Sequence, residues 1–361
     1  MRILYVCGTY VPASGGSEKS AHTLLRELVK RGYEVLVITS FGPDRGKRES
    51  KIDQVPVIRV SDDELENVLN KARIRFNPTV ILTQLIWSNI VLKWAKYHRI
   101  PTAYFVRTVG GRLKLTNNHP FSPDIIFSNS ENTRAFIKNE WHRDSIVVYP
   151  IVDFKDYIVK DRNPVYIVMF NPVKVKGGEI FKSIAKKMTG YKFMAVEGWH
   201  HLKDKKMGNW DMKKMKLMSD AYGESKVLVP EEVDLSGVKN IKYVKAVNDV
   251  RKIYKKTRIL LLPSLWEEAS ARVIREAMIN GIPVVASDTG GTREIVGRGG
   301  IIIKNFFNIN NWICNIKKLD DSERYLQLSK RAKREALKFD YKKEVDKVES
   351  ALRTFLKLNK K

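Results

Sequence analysis

Long hydrophobic runs are missing from this 361-residue chain, and cysteine is reduced to Cys7 and Cys314. No apolar stretch approaches the roughly 20 residues that a bilayer-crossing helix needs, so no transmembrane helix is expected. Two distant cysteines supply neither a disulfide framework nor a zinc site. They read as reduced thiols, and the expected location is cytoplasmic. The opening MRILYVCGTY reads as a strand and lacks the apolar region and cleavage site of a signal peptide. Cys7, inside that strand, is expected as a small buried hydrophobe. Several chemical signatures are absent as well. There is no D-x-D after a strand, no P-loop, no G-x-S-x-G elbow and no G-x-G-x-x-G fingerprint. No metal and no nicotinamide cofactor are therefore expected.

Acidic residues are scarce relative to basic ones, 40 Asp/Glu against 66 Lys/Arg, for a net charge of +26. Residues 1–155 hold 23 Lys/Arg and 15 Asp/Glu; residues 156–361 hold 43 and 25. Nucleic-acid binding, attraction to anionic lipid and a merely lysine-rich composition compete to explain this. The basic residues are scattered, with local density at 200–216 and 330–343, and no nucleic-acid motif accompanies them. Nucleic acid is thus not the expected partner. Peripheral association with an anionic membrane stays open, since each Lys or Arg near such a surface contributes roughly 1 kcal/mol.

What is present is a 43% hydrophobic, 29% charged composition, in the range of soluble globular chains and long enough for two domains. RILYVCG, a helical face made by Ala21, Leu24, Leu25, Leu28 and Val29, a stop at Gly32 and EVLVITS form a βαβ unit. Apolar segments at 55–60, 79–84, 101–106, 124–129 and 145–150 continue the alternation. Residues 160–164, KDRNP, suit a linker, after which a second set runs from VYIVMF to GGIIIK. The pattern argues two doubly wound parallel sheets. The expected domains are 1–155, 156–340, and a charged amphipathic helix over 341–361 with Val345, Val348, Leu352, Phe355 and Leu356 on its apolar side.

The richest stretch is PSLWEEASARVIREAMINGIPVVASDTGGTREIV, 263–296. RILLLPS precedes and overlaps it as a buried strand ended by Pro263. Ile274, Ala277 and Met278 then mark a helix that Gly281 is placed to end. Glu268 falls in the loop before that helix and Glu276 inside it. Ser270, Ala271, Arg272 and Val273 offer the first free backbone N–H groups, which favour an anion such as a diphosphate. A carboxylate accepts several hydrogen bonds from sugar hydroxyls and donates none. One glutamate suits a transferred sugar and the other a ribose; two solvated glutamates on a surface helix are the alternative.

This ordered stretch resembles the donor site of family-4 retaining glycosyltransferases, which carry Glu, seven residues, Glu, then EAM-x-x-G-x-PVVAS and GG-x-x-E. Here these are Glu268, Glu276-Ala277-Met278, Gly281, Pro283 to Ser287, and Gly290-Gly291 with Glu294. The resemblance implies the GT-B fold, two Rossmann-like domains facing across a cleft, with the terminal helix crossing back onto the first. It implies transfer from a nucleotide sugar, UDP- or GDP-linked, to a hydroxyl acceptor with configuration retained and no metal. The first domain would bind the acceptor (a glycan, lipid-linked or other glycoconjugate) and the second the donor. Glu276 would hold the ribose and Glu268 the transferred sugar. Lys176, followed by Gly177 in NPVKVKGGE, matches the family lysine that neutralises the diphosphate. Lys176 and Glu268 are accordingly the expected catalytic pair. The family usually has Arg five residues before that Lys; this chain has Asn171, with Lys174 as a candidate substitute. Gly15-Gly16 matches a loop that faces donor phosphates. Arg107, where the family often has His, is expected either on an acceptor anion or in a structural ion pair. His119 is a further acceptor-side candidate. A catalytically silent basic protein of the same fold, on nucleic acid or an anionic membrane, is the competing reading.

Overall fold

The computed structural model describes residues 1–13, 15–41, 47–109, 122–198 and 231–358. These divide into two units. One runs to Ile151 and resumes at Tyr341; the other lies between Val152 and Asp340.

The first unit is built on an eight-stranded sheet. Its strands are β1 (Arg2–Cys7), β2 (Glu34–Ser40), β3 (Glu49–Ile52), β4 (Val55–Val60), β5 (Val80–Gln84), β6 (Thr102–Val106), β7 (Ile125–Ser128) and β8 (Ile146–Val147). Their order is β3-β4-β2-β1-β5-β6-β7-β8, all pairs parallel except β3 with β4. Successive residues of β1 serve opposite faces, as the two-residue period of a strand requires. Ile3, Tyr5 and Cys7 join one core, while Leu4 and Val6 join the other. The first core receives Leu24, Leu25 and Leu28 of α1 (Gly16–Lys30). Each of these is fully buried, which contributes about 1.5–3 kcal/mol per side chain. The second core takes residues of α2 (Leu65–Arg75) and α3 (Ser88–Tyr97). A further helix, α4 (Glu131–Trp141), is capped by Ser130, whose hydroxyl accepts from the Thr133 N–H at 3.1 Å. The edge strand β3 is short and half-polar, and the sequence pattern does not reveal it.

The second unit holds β9 (Tyr166–Phe170), β10 (Phe193–Val196), β11 (Ile241–Val244), β12 (Thr257–Leu262), β13 (Val284–Ser287) and β14 (Gly300–Ile303). Their order is β11-β10-β9-β12-β13-β14, every pair parallel. One face packs Phe181 and Ile184 of α5 (Gly178–Lys187); the other packs Ile253 of α6 (Arg251–Tyr254). After β12 comes α7 (Arg272–Met278), and after β13 comes α8 (Thr292–Val296). Then follow α9 (Ile309–Lys317), which adds Trp312 and Ile316 to the first face, and α10 (Ser322–Leu337). Residues 160–164, expected as a linker, are tied into this unit. Arg162 donates to the carbonyls of Asn280 and Thr257, both at 2.6 Å.

The last helix, α11 (Tyr341–Leu358), lies in the first unit and buries Val345, Val348 and Leu352 in the core that holds α1. Its Glu344 accepts from the Tyr149 N–H at 2.9 Å, and Glu349 accepts from Arg31 at 2.8 Å and the Tyr33 hydroxyl at 2.5 Å. In each sheet the strand order reverses beside the first strand, between β1 and β5 and between β9 and β12. Chain segments leaving such neighbours diverge and open a crevice at the strands' carboxyl ends.

Candidate functional site

The reversal point of the second unit brings three turns together. After β9 the chain bends at Asn171, in the left-handed region with φ +56°, makes one 3-10 turn over Lys174–Lys176, and reverses at Gly177. Gly177 has φ +80°, and a Cβ there would lie 1.8 Å from the Pro263 carbonyl oxygen. Only glycine lets this turn press on the end of β12. The Val175 carbonyl then accepts from the N–H groups of Leu265 and Trp266, each at 3.0 Å. From the other side, a Cβ on Gly290 would meet the Glu268 carbonyl at 2.4 Å, and the Gly291 N–H donates to that carbonyl at 2.7 Å. The backbone of Glu268 is thus gripped by the Gly-Gly turn after β13, and the loop before it by the lysine turn after β9.

Both expected carboxylates are buried against partners. Lys176 Nζ donates to Glu268 Oε1 at 2.7 Å, the side chains only 14% and 10% exposed. Glu276, on α7, accepts at Oε1 from Arg272 Nε at 3.1 Å and at Oε2 from the Tyr254 hydroxyl at 2.9 Å. Arg272 also donates to the Tyr157 hydroxyl at 2.7 Å. Burial, with Glu276 beside it, pushes the Tyr254 hydroxyl well above its ordinary range, so it stays a donor at neutral pH. Burial opposes the charge of Arg272, but Tyr157 and Glu276 together hold its pKa above the usual guanidinium value. The Arg275 guanidinium lies 5.0 Å over the Phe339 ring. With both arginines buried, α7 is enclosed on more sides than the expected apolar stripe. The first turn of α7 begins at Arg272 after Ala271, with no side-chain cap on its N–H groups.

Around this pair the other expected donor-side residues fall out unevenly. Lys174 pairs with the exposed Glu231 carboxylate, which raises its pKa. Asn171 is buried, and its Oδ1 has no hydrogen-bond partner among the described residues; the same holds for Ser270 Oγ. Gly15 and Gly16 belong to the first unit, at the start of α1. There a Cβ on Gly15 would lie 1.9 Å from Glu18 Oε2. The buried Glu18 carboxylate accepts from the Thr9 hydroxyl at 2.6 Å and the Ser17 hydroxyl at 2.8 Å. It lies against the start of α1 at Gly15.

Arg107, just past β6, donates from Nε to Gln84 Oε1 at 2.8 Å and lies 4.7 Å over the Phe105 ring. His119 falls outside the described residues. His22 sits between the Tyr10 hydroxyl, 2.8 Å from Nδ1, and Asp53 Oδ2, 3.0 Å from Nε2, and the His22 contact lowers the Asp53 pKa. Among the described residues, no three His, Cys, Asp or Glu side chains converge as metal ligands would, and no helix is long and apolar enough to cross a membrane.

Comparison with known proteins agrees with this geometry. The family profile described as Glycosyl transferases group 1 matches residues 226–337, and the one described as Glycosyltransferase Family 4 matches 14–155. The chain belongs to the family-4 glycosyltransferases of the GT-B fold. It is 35% identical over 99 residues to spore coat protein SA of Bacillus subtilis (strain 168), a match covering 27% of this chain and 26% of that protein's length. Sucrose-phosphate synthase from Thermosynechococcus elongatus superposes with a TM-score of 0.73 at 13% identity, over 99% of this chain and 100% of that one. HepE of Anabaena in complex with UDP-glucose gives 0.71 at 16%, over 98% and 100%. At such identities these structures speak for the fold.

Sequence reasoning found the glutamates and Lys176 but not the contact between Lys176 and Glu268, which depends on two strands far apart in sequence lying adjacent. It also missed Tyr254 and Tyr157, and it counted Arg272 only for its backbone N–H. An arginine four residues before a glutamate on one helix was the available signal.

Cys7 is 1% exposed, and burial, then the nearby Glu18, pushes its thiol up to about 12, whereas Cys314 is exposed. The Cys7 thiol therefore stays protonated at pH 8. A thiol-specific reagent should titrate one cysteine rapidly in the native chain and two in guanidinium chloride. Two rapid equivalents in the native chain would contradict this burial.

Proposed function

We propose that this protein is a retaining, metal-independent glycosyltransferase that moves a sugar from a nucleoside-diphosphate sugar, UDP- or GDP-linked, to a hydroxyl acceptor. The single observation that carries the reading is the 2.7 Å Lys176–Glu268 pair at the strand-order reversal of the second unit. The second unit binds the donor and the first the acceptor. Glu276 takes the ribose hydroxyls and Glu268 the hydroxyls of the transferred sugar. Lys176 and the backbone N–H groups of residues 270–273 stabilise the charge that develops on the departing diphosphate, in place of a divalent cation. Gly177 lets the lysine turn lie close enough to do so. Asn171, with its unpartnered buried carbonyl, supplies a neutral contact where relatives of this family carry Arg, and Lys174 lends a second, exposed positive charge. Arg107 and His119 serve the acceptor side, and Gly15 and Gly16 serve the donor phosphates.

Transfer with retention requires the acceptor oxygen to attack the face that the diphosphate leaves. As the anomeric carbon–phosphate oxygen bond breaks, the acceptor hydroxyl forms the new bond to that carbon. Its proton passes to the leaving phosphate oxygen, so no protein nucleophile is needed. HepE has been solved with UDP-glucose and sucrose-phosphate synthase shares the fold, which supports a nucleotide-sugar donor here. The acceptor is a glycan, a lipid-linked sugar or another glycoconjugate. The basic surface fits work in the cytoplasm beside an anionic membrane.

Two substitutions separate the roles. Glu268→Ala should lower transfer by about 100-fold or more while nucleoside-diphosphate binding stays within a few-fold; near-normal turnover would remove Glu268 from the site. Lys176→Ala should weaken nucleoside-diphosphate binding by roughly 10- to 100-fold in calorimetry, the loss of one charge-assisted contact. Unchanged affinity would sink its role.

A further inference from the structure

Glu276 is the most thoroughly prepared side chain in the second unit, and its partners are as buried as it is. Arg272 is 5% exposed and Tyr254 fully buried, so neither is a surface charge or hydroxyl that happens to lie near. Each takes a different carboxylate oxygen, Arg272 at Oε1 and Tyr254 at Oε2. Arg272 is itself fixed, because its other arm donates to the Tyr157 hydroxyl at 2.7 Å and its guanidinium lies 5.6 Å over that ring. Tyr157 is fixed in turn, since its carbonyl accepts from Asn280 Nδ2 at 3.0 Å, and the same amide group donates to the Glu276 carbonyl at 2.9 Å. The result is a closed ring of contacts through Glu276, Arg272, Tyr157 and Asn280.

A carboxylate oxygen has two acceptor positions. With one on each oxygen taken internally, Glu276 keeps one on each, both in the carboxylate plane. That is the arrangement a vicinal diol satisfies with both hydroxyls at once, and a lone hydroxyl satisfies only in part. We infer that Arg272 and Tyr254 are positioning residues that turn Glu276 into a two-point reader of a ribose diol, and so set the selectivity of the donor site for ribonucleotides over deoxyribonucleotides. This rests on the donor role proposed for Glu276 and goes beyond it by naming what makes the glutamate selective. An unsupported glutamate could rotate to meet one hydroxyl equally well. The supported one leaves an acceptor unpaired when a hydroxyl is missing, which is the usual source of steep discrimination.

The test measures a ratio. Calorimetry on the full chain compares UDP with 2′-deoxy-UDP, and GDP with 2′-deoxy-GDP, for wild type, Glu276→Gln, Tyr254→Phe, Arg272→Met and Arg272→Lys. The wild type should bind the deoxy form at least tenfold more weakly. Tyr254→Phe and Arg272→Met should shrink that ratio toward one, chiefly by losing affinity for the ribose form. Arg272→Lys, which keeps a cation near Oε1, should recover part of it. Affinity for inorganic pyrophosphate should stay unchanged in all of them, a pattern that general loosening of the fold would not give. If Glu276→Gln abolishes the discrimination but Tyr254→Phe and Arg272→Met keep it, the positioning role is wrong. If Glu276→Gln keeps it too, the ribose role of Glu276 fails and this inference falls with it. Should Arg272→Met not fold, Tyr254→Phe decides alone, since it removes one hydroxyl and no volume from the core.

Discussion

The ion pair between Lys176 and Glu268 is the contact on which the proposed donor site depends. It joins the segments that follow β9 and β12, neighbours in the sheet although 92 residues separate the two side chains. Each partner compensates the other's burial, because a nearly buried ammonium or carboxylate without its opposite is costly. Two glycines make the approach geometrically feasible: Gly177 lets the lysine turn rest on Pro263, and Gly290 lets the next turn rest on Glu268. A charge pair fixed in place by its frame before any ligand arrives is what preorganisation for phosphate departure requires.

Around it the site grades from charged to neutral support. Glu276 is held by an arginine and a tyrosine that are themselves held, and the chain entering the second unit is bound to the same helix through Arg162, Tyr157 and Asn280. In the first unit the start of α1 is treated differently. The Glu18 carboxylate lies against Gly15 and accepts from the Thr9 and Ser17 hydroxyls. The starts of α1 and α7 are therefore not equivalent. The one near Glu268 carries no side-chain cap, while the one at Gly15 lies under a carboxylate.

The fold was legible because parallel strands buried on both faces read as apolar runs, and each run named from the sequence corresponds to a strand. Strand β3 escaped because half its residues face solvent and no period stands out. The helix stop at Gly281 was legible for a physical reason: φ is +64° there, and its N–H returns to the Met278 carbonyl at 2.8 Å. Contacts across the sheet were not legible. Nothing in the local pattern says that Lys176 reaches Glu268, that Lys174 turns outward to Glu231, or that Tyr254 buries its hydroxyl against Glu276. These follow from strand order, which one sequence read locally does not encode.

The central claim is that Lys176, Glu268 and Glu276 form a donor site whose phosphate charge is handled by the protein. The most direct measurement is release of nucleoside diphosphate from UDP-, GDP- and ADP-sugars by the full chain, with and without EDTA. The account predicts release from at least one UDP- or GDP-sugar at a rate EDTA does not change. Loss of release in EDTA with recovery on adding manganese, or no release from any of these sugars, would contradict it.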